Sequence, residues 1–369
     1  MMQLFFFALS GLVLLAGHIL FWYIIVNFFY LNVASGRIIA AGVTIFLFAS
    51  VVLSSYLIHQ RDNLFTRWYY ILALSWVGLL VNFGVMAGLI VCVRLIGSFY
   101  GFVFPSLYLK IIFLSGGVVL SLVGVWRAWS PRVQEYEVRI KDLPAAWEGK
   151  SVAQISDVHL GPIYRQHFLS RLVKRLNNLN PEAIFITGDL FDGMEADFRW
   201  LHHPLQNLHA PRGIYYSFGN HDLYLGLDYV SALLKDGPIK ILDNKLTIVD
   251  GLQIIGINYS FNRDFDLEDT ILRQVGYDRK KPSVLLFHAP KNIALARKAD
   301  IDLQLSGHTH DGQLFPFNLL AKWAHRGYGY GLFRAGDFSL IVNGGVGTWG
   351  PPMRTAARGE IVKITWRKK

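Results

Sequence analysis

Carboxylates, histidines and one amide that could jointly hold metal ions occur in five short stretches of this chain. They are Asp157-Val158-His159, Gly188-Asp189, Gly219-Asn220-His221-Asp222, the isolated His288, and Gly307-His308-Thr309-His310. Each closes an apolar, strand-like run, at residues 151–155, 183–187, 214–218, 283–287 and 302–305. In an α/β sheet the loops at adjacent strand ends open on one crevice, so the pattern predicts a shared site. On an extended backbone Asp157 and His159 would point to one face and chelate one cation. Singly, Asp-x-His and Gly-Asp are ordinary loop chemistry. An amide directly before a histidine at a strand end has few structural uses, and Gly307 allows close backbone approach beside the His308 and His310 pair. In order, the five pieces supply every ligand a two-metal hydrolytic site needs.

These donors are oxygens and imidazoles without thiolate, a set suited to manganese, iron or zinc. Two cations about 3.5–4 Å apart lower the pKa of a shared water and stabilise negative charge that develops on a substrate's oxygens.

The elements that must position these groups occupy only part of the chain. Of 369 residues, 53% are apolar and 14% aromatic, above what a soluble enzyme carries. The excess lies in residues 1–129, where four apolar spans, at about 4–31, 38–59, 68–93 and 107–126, each reach the ~20 residues needed to cross a bilayer. The first is too long for a cleaved signal, lacks a basic start, and is followed by three more. Aromatic residues near the span ends, such as Trp22, Tyr23, Trp68 and Trp126, suit an interfacial belt. An even span number puts the amino terminus and the second half of the chain on one side. Arg61, Arg67, Arg127 and Arg132 fall there, against Arg37, Arg94 and Lys110 opposite, which favours a cytoplasmic catalytic domain. The single cysteine, Cys92, lies in the third span, so no intrachain disulfide can form.

Residues 130–150 read as a linker running into an edge strand, and 151–369 as a catalytic α/β domain. Helices are expected at 167–179, 197–208, 229–235 and 293–298. Between 239 and 257, β segments separated by Asp243-Asn244 and Asp250-Gly251 have hairpin chemistry. Strands are expected again at 284–287, 303–305, 339–342 and 360–366. The net charge of +10 is scattered along the chain, which reads as a membrane-facing basic surface and not as a nucleic-acid footprint.

From Asp157 to His310 these motifs resemble the calcineurin-like metallophosphoesterase family, over about residues 133–369. The resemblance implies a four-layer αββα sandwich, here preceded by an all-α transmembrane domain of about four helices. It implies two divalent metal ions, manganese first, with iron or zinc as alternatives. One ion would take Asp157, His159 and His310, the other Asn220, His288 and His308, with Asp189 bridging, and a metal-bridging hydroxide would attack phosphorus in line. His221, next to Asn220, would stabilise the transition state or protonate the leaving oxygen, with Asp222 orienting it. Arg354, Lys291 and Asn343 are candidate substrate contacts.

The runs 306–313 and 347–354 are similar to a membrane-anchored bacterial branch whose relatives include hydrolases of the lipid A precursor UDP-2,3-diacylglucosamine. Asp311 departs from that pattern, where relatives often carry glycine, and bears on substrate fit. The function so implied is hydrolysis of a phosphate ester or pyrophosphate bond in a lipid-linked substrate. The rivals are a broad-specificity phosphodiesterase or phosphatase on soluble nucleotides, merely tethered, and a non-catalytic membrane binding module.

Residues 314–333 insert Phe315, Phe317, Leu319, Leu320, Trp323 and other apolar residues directly after two candidate ligands. This is either a loop covering the core or a lip touching the bilayer or gripping an acyl chain. The other histidines have ordinary readings: His202, His203 and His209 surface or packing groups, His18 and His59 interhelical hydrogen-bonding groups, and His325 a residue of the insertion.

Overall fold

The computed structural model describes residues 2–194, 197–261 and 275–369. It divides into two units: Met1–Trp126 with Gly350–Thr355, and Arg127–Trp349 with Ala356–Lys369.

The first unit holds α1 (Met2–Phe28), α2 (Ala34–Gln60), α3 (Leu64–Phe99) and all but the last three residues of α4 (Ser106–Trp129). All four are long and apolar enough to cross a membrane, as expected from the sequence. The third helix extends past the expected 68–93 at both ends. Its 36 residues rise ~54 Å, beyond the ~30 Å of hydrocarbon. Its early start has a cause: the Asn63 side chain accepts from the Thr66 N–H at 3.1 Å, and the Thr66 hydroxyl accepts from the Asn63 N–H at 3.1 Å. Many large apolar side chains on these helices are exposed, which lipid tolerates and water does not.

Several polar groups inside the helical unit are paired. The Trp76 indole donates to His18 Nε2 at 2.9 Å while His18 Nδ1 meets the Leu14 carbonyl at 2.8 Å, and the Asn82 amide donates to Ser121 Oγ at 2.9 Å. Residues 350–355 belong to this unit. The Arg354 N–H donates to the Gly124 carbonyl at 2.9 Å, and a Cβ at Gly78 would come 2.6 Å from Met353 Sδ.

The second unit runs β1 (Arg132–Ile140), β2 (Ser151–Ile155), α5 (Gln166–Asn178), β3 (Ile184–Thr187), α6 (His202–Gln206), β4 (Ile214–Ser217), α7 (Asn220–Leu225), α8 (Leu227–Leu234), β5 (Ile239–Ile241), β6 (Lys245–Val249), β7 (Leu252–Ile257), β8 (Ser283–Phe287), α9 (Ile293–Lys298), β9 (Leu303–Ser306), α10 (Phe317–Ala324), β10 (Gly331–Ala335), β11 (Phe338–Val342) and β12 (Glu360–Lys368). One sheet has the order β1-β12-β2-β3-β4-β5, the other β10-β11-β9-β8-β7-β6. Strands β2 to β5 run parallel, as do β7, β8, β9 and β11.

Alternation along the strands builds the layers. In β8, Val284 and Leu286 join the core between the sheets, while Leu285 and Phe287 join an outer core with Ala296 of α9. In β3, Phe185 faces the inter-sheet core, and Ile184 and Ile186 face the core covered by α5, α6 and α8. Both faces of each sheet are therefore covered, the four-layer αββα arrangement. It requires the nearly continuous apolar strands seen in the sequence. Within the 130–150 segment β1 forms the edge of its sheet, pairing with β12 in parallel over nine residues from Arg132↔Glu360 to Ile140↔Lys368.

The hairpin chemistry near 250 is used once. Asp250 and Gly251, at φ +46° and +84°, turn β6 into the antiparallel β7. Asp243-Asn244 instead carries the chain from β5 in one sheet to β6 in the other.

Candidate metal centre

The ends of β2, β3 and β4 in one sheet, and of β8 and β9 in the other, deliver the donors. Ligand atoms of Asp157, His159 and His310 lie within 4.8 Å of one another, and so do those of Asp189, His288 and His308. Asp157 and His159 do not converge as alternate residues of an extended strand, as the sequence led us to expect. Both sit in the left-handed region at φ +52°, as do Asp189 (+51°), His308 (+72°) and His310 (+52°). Asp157 is held there by the His308 N–H, which lies 3.2 and 3.0 Å from its two carboxylate oxygens. Gly307 is required by contact and not by dihedral angle, because a Cβ there would collide with Ser156 Oγ and Asp157 Oδ2.

Proton positions follow from the partners. His288 Nδ1 lies 2.7 Å from the Thr187 carbonyl, which can only accept, so Nδ1 carries hydrogen. Nε2 then faces Asp189 Oδ2 at 3.0 Å, yet has no hydrogen-bond partner among the described residues. His159 Nδ1 lies 3.2 Å from Asp192 Oδ1, and its Nε2 lies 3.1 Å from His310 Nε2. His310 Nε2 is in turn 3.3 Å from Asp157 Oδ1. Asn220 Oδ1 is buried without a hydrogen-bond partner among the described residues. Lone pairs that converge in a buried space need a cation or a proton between them. The donor set therefore fits divalent metal ions.

Electrostatics agree. Burial alone would lower the pKa of His288, but the Asp189 carboxylate overrides it and pushes the imidazole up to about 9. Burial works to raise Asp189, and His288 more than compensates, holding that carboxyl well below the usual range. Burial raises Asp157 and pushes His308 well below the ordinary imidazole value. Asp222, raised to about 6 chiefly by burial, accepts the N–H groups of Asp189 and Gly219 at 2.8 Å and of Phe191 at 3.3 Å. It fastens the loops of the site, whereas the expected orientation of His221 comes from elsewhere: His221 Nδ1 bonds the Asp192 carbonyl at 2.9 Å.

Asp192 is the residue that sequence reasoning overlooked. Its carboxylate meets His159, its carbonyl meets His221, and the three form a third group of ligand atoms within 4.8 Å. The signal was a second acid three residues past Asp189 in the same loop. Lys291 reaches the site's edge, 3.2 Å from the Tyr259 hydroxyl, and its charge helps depress His308. The Tyr259 ring lies 5.5 Å from that of His308. His325, expected to be incidental, sits 5.9 Å from His308, ring to ring. Asn343 is buried with its amide engaged at the Gln154 carbonyl (3.3 Å) and the Gly345 N–H (2.7 Å), which ties strand ends together. Arg354 is fully buried in the helical unit.

The calcineurin-like phosphoesterase family profile matches residues 150–312. An uncharacterized metallophosphoesterase of Campylobacter jejuni is 33% identical over 270 residues, 72% of this chain and 72% of that protein. One of Helicobacter pylori is 32% identical over 289 residues, covering 72% of this chain and 76% of that protein. A protein of Danio rerio named transmembrane protein with metallophosphoesterase domain is 34% identical over 273 residues, 68% of this chain and 61% of its own length.

Proposed function

The chain belongs to the calcineurin-like metallophosphoesterases, metal-dependent phosphoric ester hydrolases, and on that premise we propose that it is a membrane-anchored two-metal phosphoesterase acting on a lipid-linked phosphate. The carrying observation is the pair of convergent donor groups, Asp157, His159 and His310 beside Asp189, His288 and His308, in a chain with four candidate spans. Asn220, whose buried oxygen lacks a hydrogen-bond partner among the described residues, would complete the second group, and Asp189 would be shared by both ions.

Divalent ions, manganese first, would supply positive charge to the phosphoryl oxygens and an acidified water. The chain's own residues do the rest. Asp192 fixes His159 through Nδ1, so that Nε2 remains a donor to metal. His221 is held by the same residue at Nδ1, which leaves Nε2 to pass a proton to the leaving oxygen. Burial depresses its pKa, which makes its protonated form the stronger acid. Lys291 offers a cation to a phosphate oxygen at the rim. The cytoplasmic side of a cell membrane is the location the basic residues favour.

Asp189→Asn and His308→Ala each abolish manganese-dependent hydrolysis of an aryl phosphodiester, a loss of about a thousandfold or more, while membrane insertion stays intact. Unchanged turnover in both variants overturns the assignment. A second reading, a phosphodiesterase on soluble nucleotides, has one observation in its favour. Tyr224 and Phe261 stack at 5.6 Å, and Tyr224 and Trp349 flank His221, a rim that could take a planar base. That reading predicts equal turnover of nucleotide esters with or without a bilayer.

A further inference from the structure

Among the described residues, α10 is the one helix of the catalytic unit with no buried side chain, although it is largely apolar. Leu319 is 61% exposed, Leu320 55% and Trp323 78%. A helix on a protein in water normally turns such residues inward. This one is nonetheless firmly attached. The Phe317 N–H donates to the Leu314 carbonyl at 2.8 Å, and Thr309, between the donors His308 and His310, bonds the Gly329 carbonyl at 2.6 Å. The His325 ring, at the helix's end, meets His308. Its exposed apolar face is thus connected to the metal centre through Thr309 and His325.

Charge identifies what covers that face. Between Gly312 and Gly336 the sequence has no Asp or Glu, but it has Lys322, Arg326 and Arg334. Arg334 bonds the Glu137 carbonyl, whereas Lys322 and Arg326 form no ion pair among the described residues. Leu319, Leu320 and Trp323 beside two uncommitted cations form the composition of an interfacial helix, with tryptophan at headgroup level and basic residues on anionic lipid. A bilayer is at hand, because the chain has four candidate spans and only Ser130 and Pro131 separate α4 from β1.

We propose that α10 lies in the surface of an anionic bilayer, its Leu319, Leu320 and Trp323 among the lipid chains, and presents the metal centre to headgroup phosphates. The functional half of this inference rests on the lipid-linked reading above, and the docking half does not.

The test uses the full-length protein in lipid nanodiscs. In a Cys92→Ser background, a polarity-sensitive fluorophore on Trp323→Cys is blue-shifted and quenched by doxyl-labelled lipid in discs containing phosphatidylglycerol, and less so in purely zwitterionic discs. A label that stays in water in both overturns the docking. So does a label shielded only as protein concentration rises, which would make the face a contact for a second copy. Separately, Leu319→Ser/Leu320→Ser/Trp323→Ser leaves hydrolysis of a soluble aryl phosphodiester unchanged and lowers that of a dialkyl-anchored one in the bilayer by about tenfold or more. Equal losses on both substrates overturn the headgroup role. Hydrolysis of neither substrate by the unmodified protein sinks the enzymatic reading, while the quenching result still decides the docking.

Discussion

Five of the seven candidate metal donors hold a backbone conformation that L-residues seldom adopt, at a cost of roughly 1 kcal/mol or more each. Asp and His tolerate it better than branched residues, so their types are compatible with the site twice over, as ligands and as left-handed turn formers. The surrounding bonds, such as the His308 N–H to Asp157, hold the geometry before any metal arrives. One consequence is measurable. His288 carries a proton favoured by Asp189, with its pKa pushed up to about 9, and a metal ion must displace it. Without metal, the raised value means this pair stabilises the fold fully below the unfolded imidazole value of about 6.5, and the contribution is lost as pH rises through about 9. With metal the order reverses. Manganese binding at pH 7 therefore releases protons, and apparent affinity rises with pH up to about 9. Titration calorimetry in buffers of different ionisation enthalpy reads the release directly, and buffer-independent heats would contradict it.

At the same scale, the six side chains that converge in the two groups were legible because each is a rare residue type at a strand end. Asp192 and the true partners of Asp222 were not. Which backbone N–H meets a carboxylate depends on how three loops pack together, and residue spacing carries no record of that.

Among the elements, strands buried on both faces were legible from their continuous apolar runs, and helices such as α9 from their period. The strand β10 and helix α10 were hidden in the 314–333 insertion, because an exposed apolar helix has the composition of a buried one. Asp243-Asn244 has the same turn chemistry as Asp250-Gly251, and only the sheet partner of the following strand distinguishes a crossover from a hairpin. Where α9 leads into β9, Asp302 accepts the Ser283 N–H at 2.9 Å, linking β9 to β8. Burial raises its pKa to about 6 against those bonds. The folded state thus holds a proton that the unfolded chain has released, and stability falls as pH rises from about 4 to about 6, then levels. Asp302→Asn keeps the acceptor without the titration. It should remove that slope and stabilise the protein above pH 6 by roughly 1 to 2 kcal/mol, discounted for the water that still reaches this half-buried side chain. Denaturant midpoints in detergent at pH 4.5 and 7 check this, and parallel pH profiles for the two proteins would refute it.

For the molecule as a whole, the sequence separated two solvents cleanly, since a lipid-facing helix and a water-facing sheet cannot share a composition. The assignment of residues 350–355 to the helical unit was invisible, because Met353 and Arg354 lie more than 200 residues from Gly78 and Gly124 in sequence. Sidedness follows from the number of spans. Four crossings would place the segment after α2, with Arg61 and Arg67, on the side of the amino terminus and the catalytic unit, and the turns after α1 and α3 on the other. Basic residues are retained in the cytoplasm because moving them across an energised membrane is costly. In a Cys92→Ser background, cysteines at Asn32 and Phe102 should therefore react with a membrane-impermeant maleimide in intact cells, whereas cysteines at Gln60 and Lys369 should react only after permeabilisation. The reverse pattern would put the metal centre outside the cell. Labelling of Gln60 and Lys369 from opposite sides would mean that the four helices do not all cross, and the even-span argument for a cytoplasmic enzyme would fail with them.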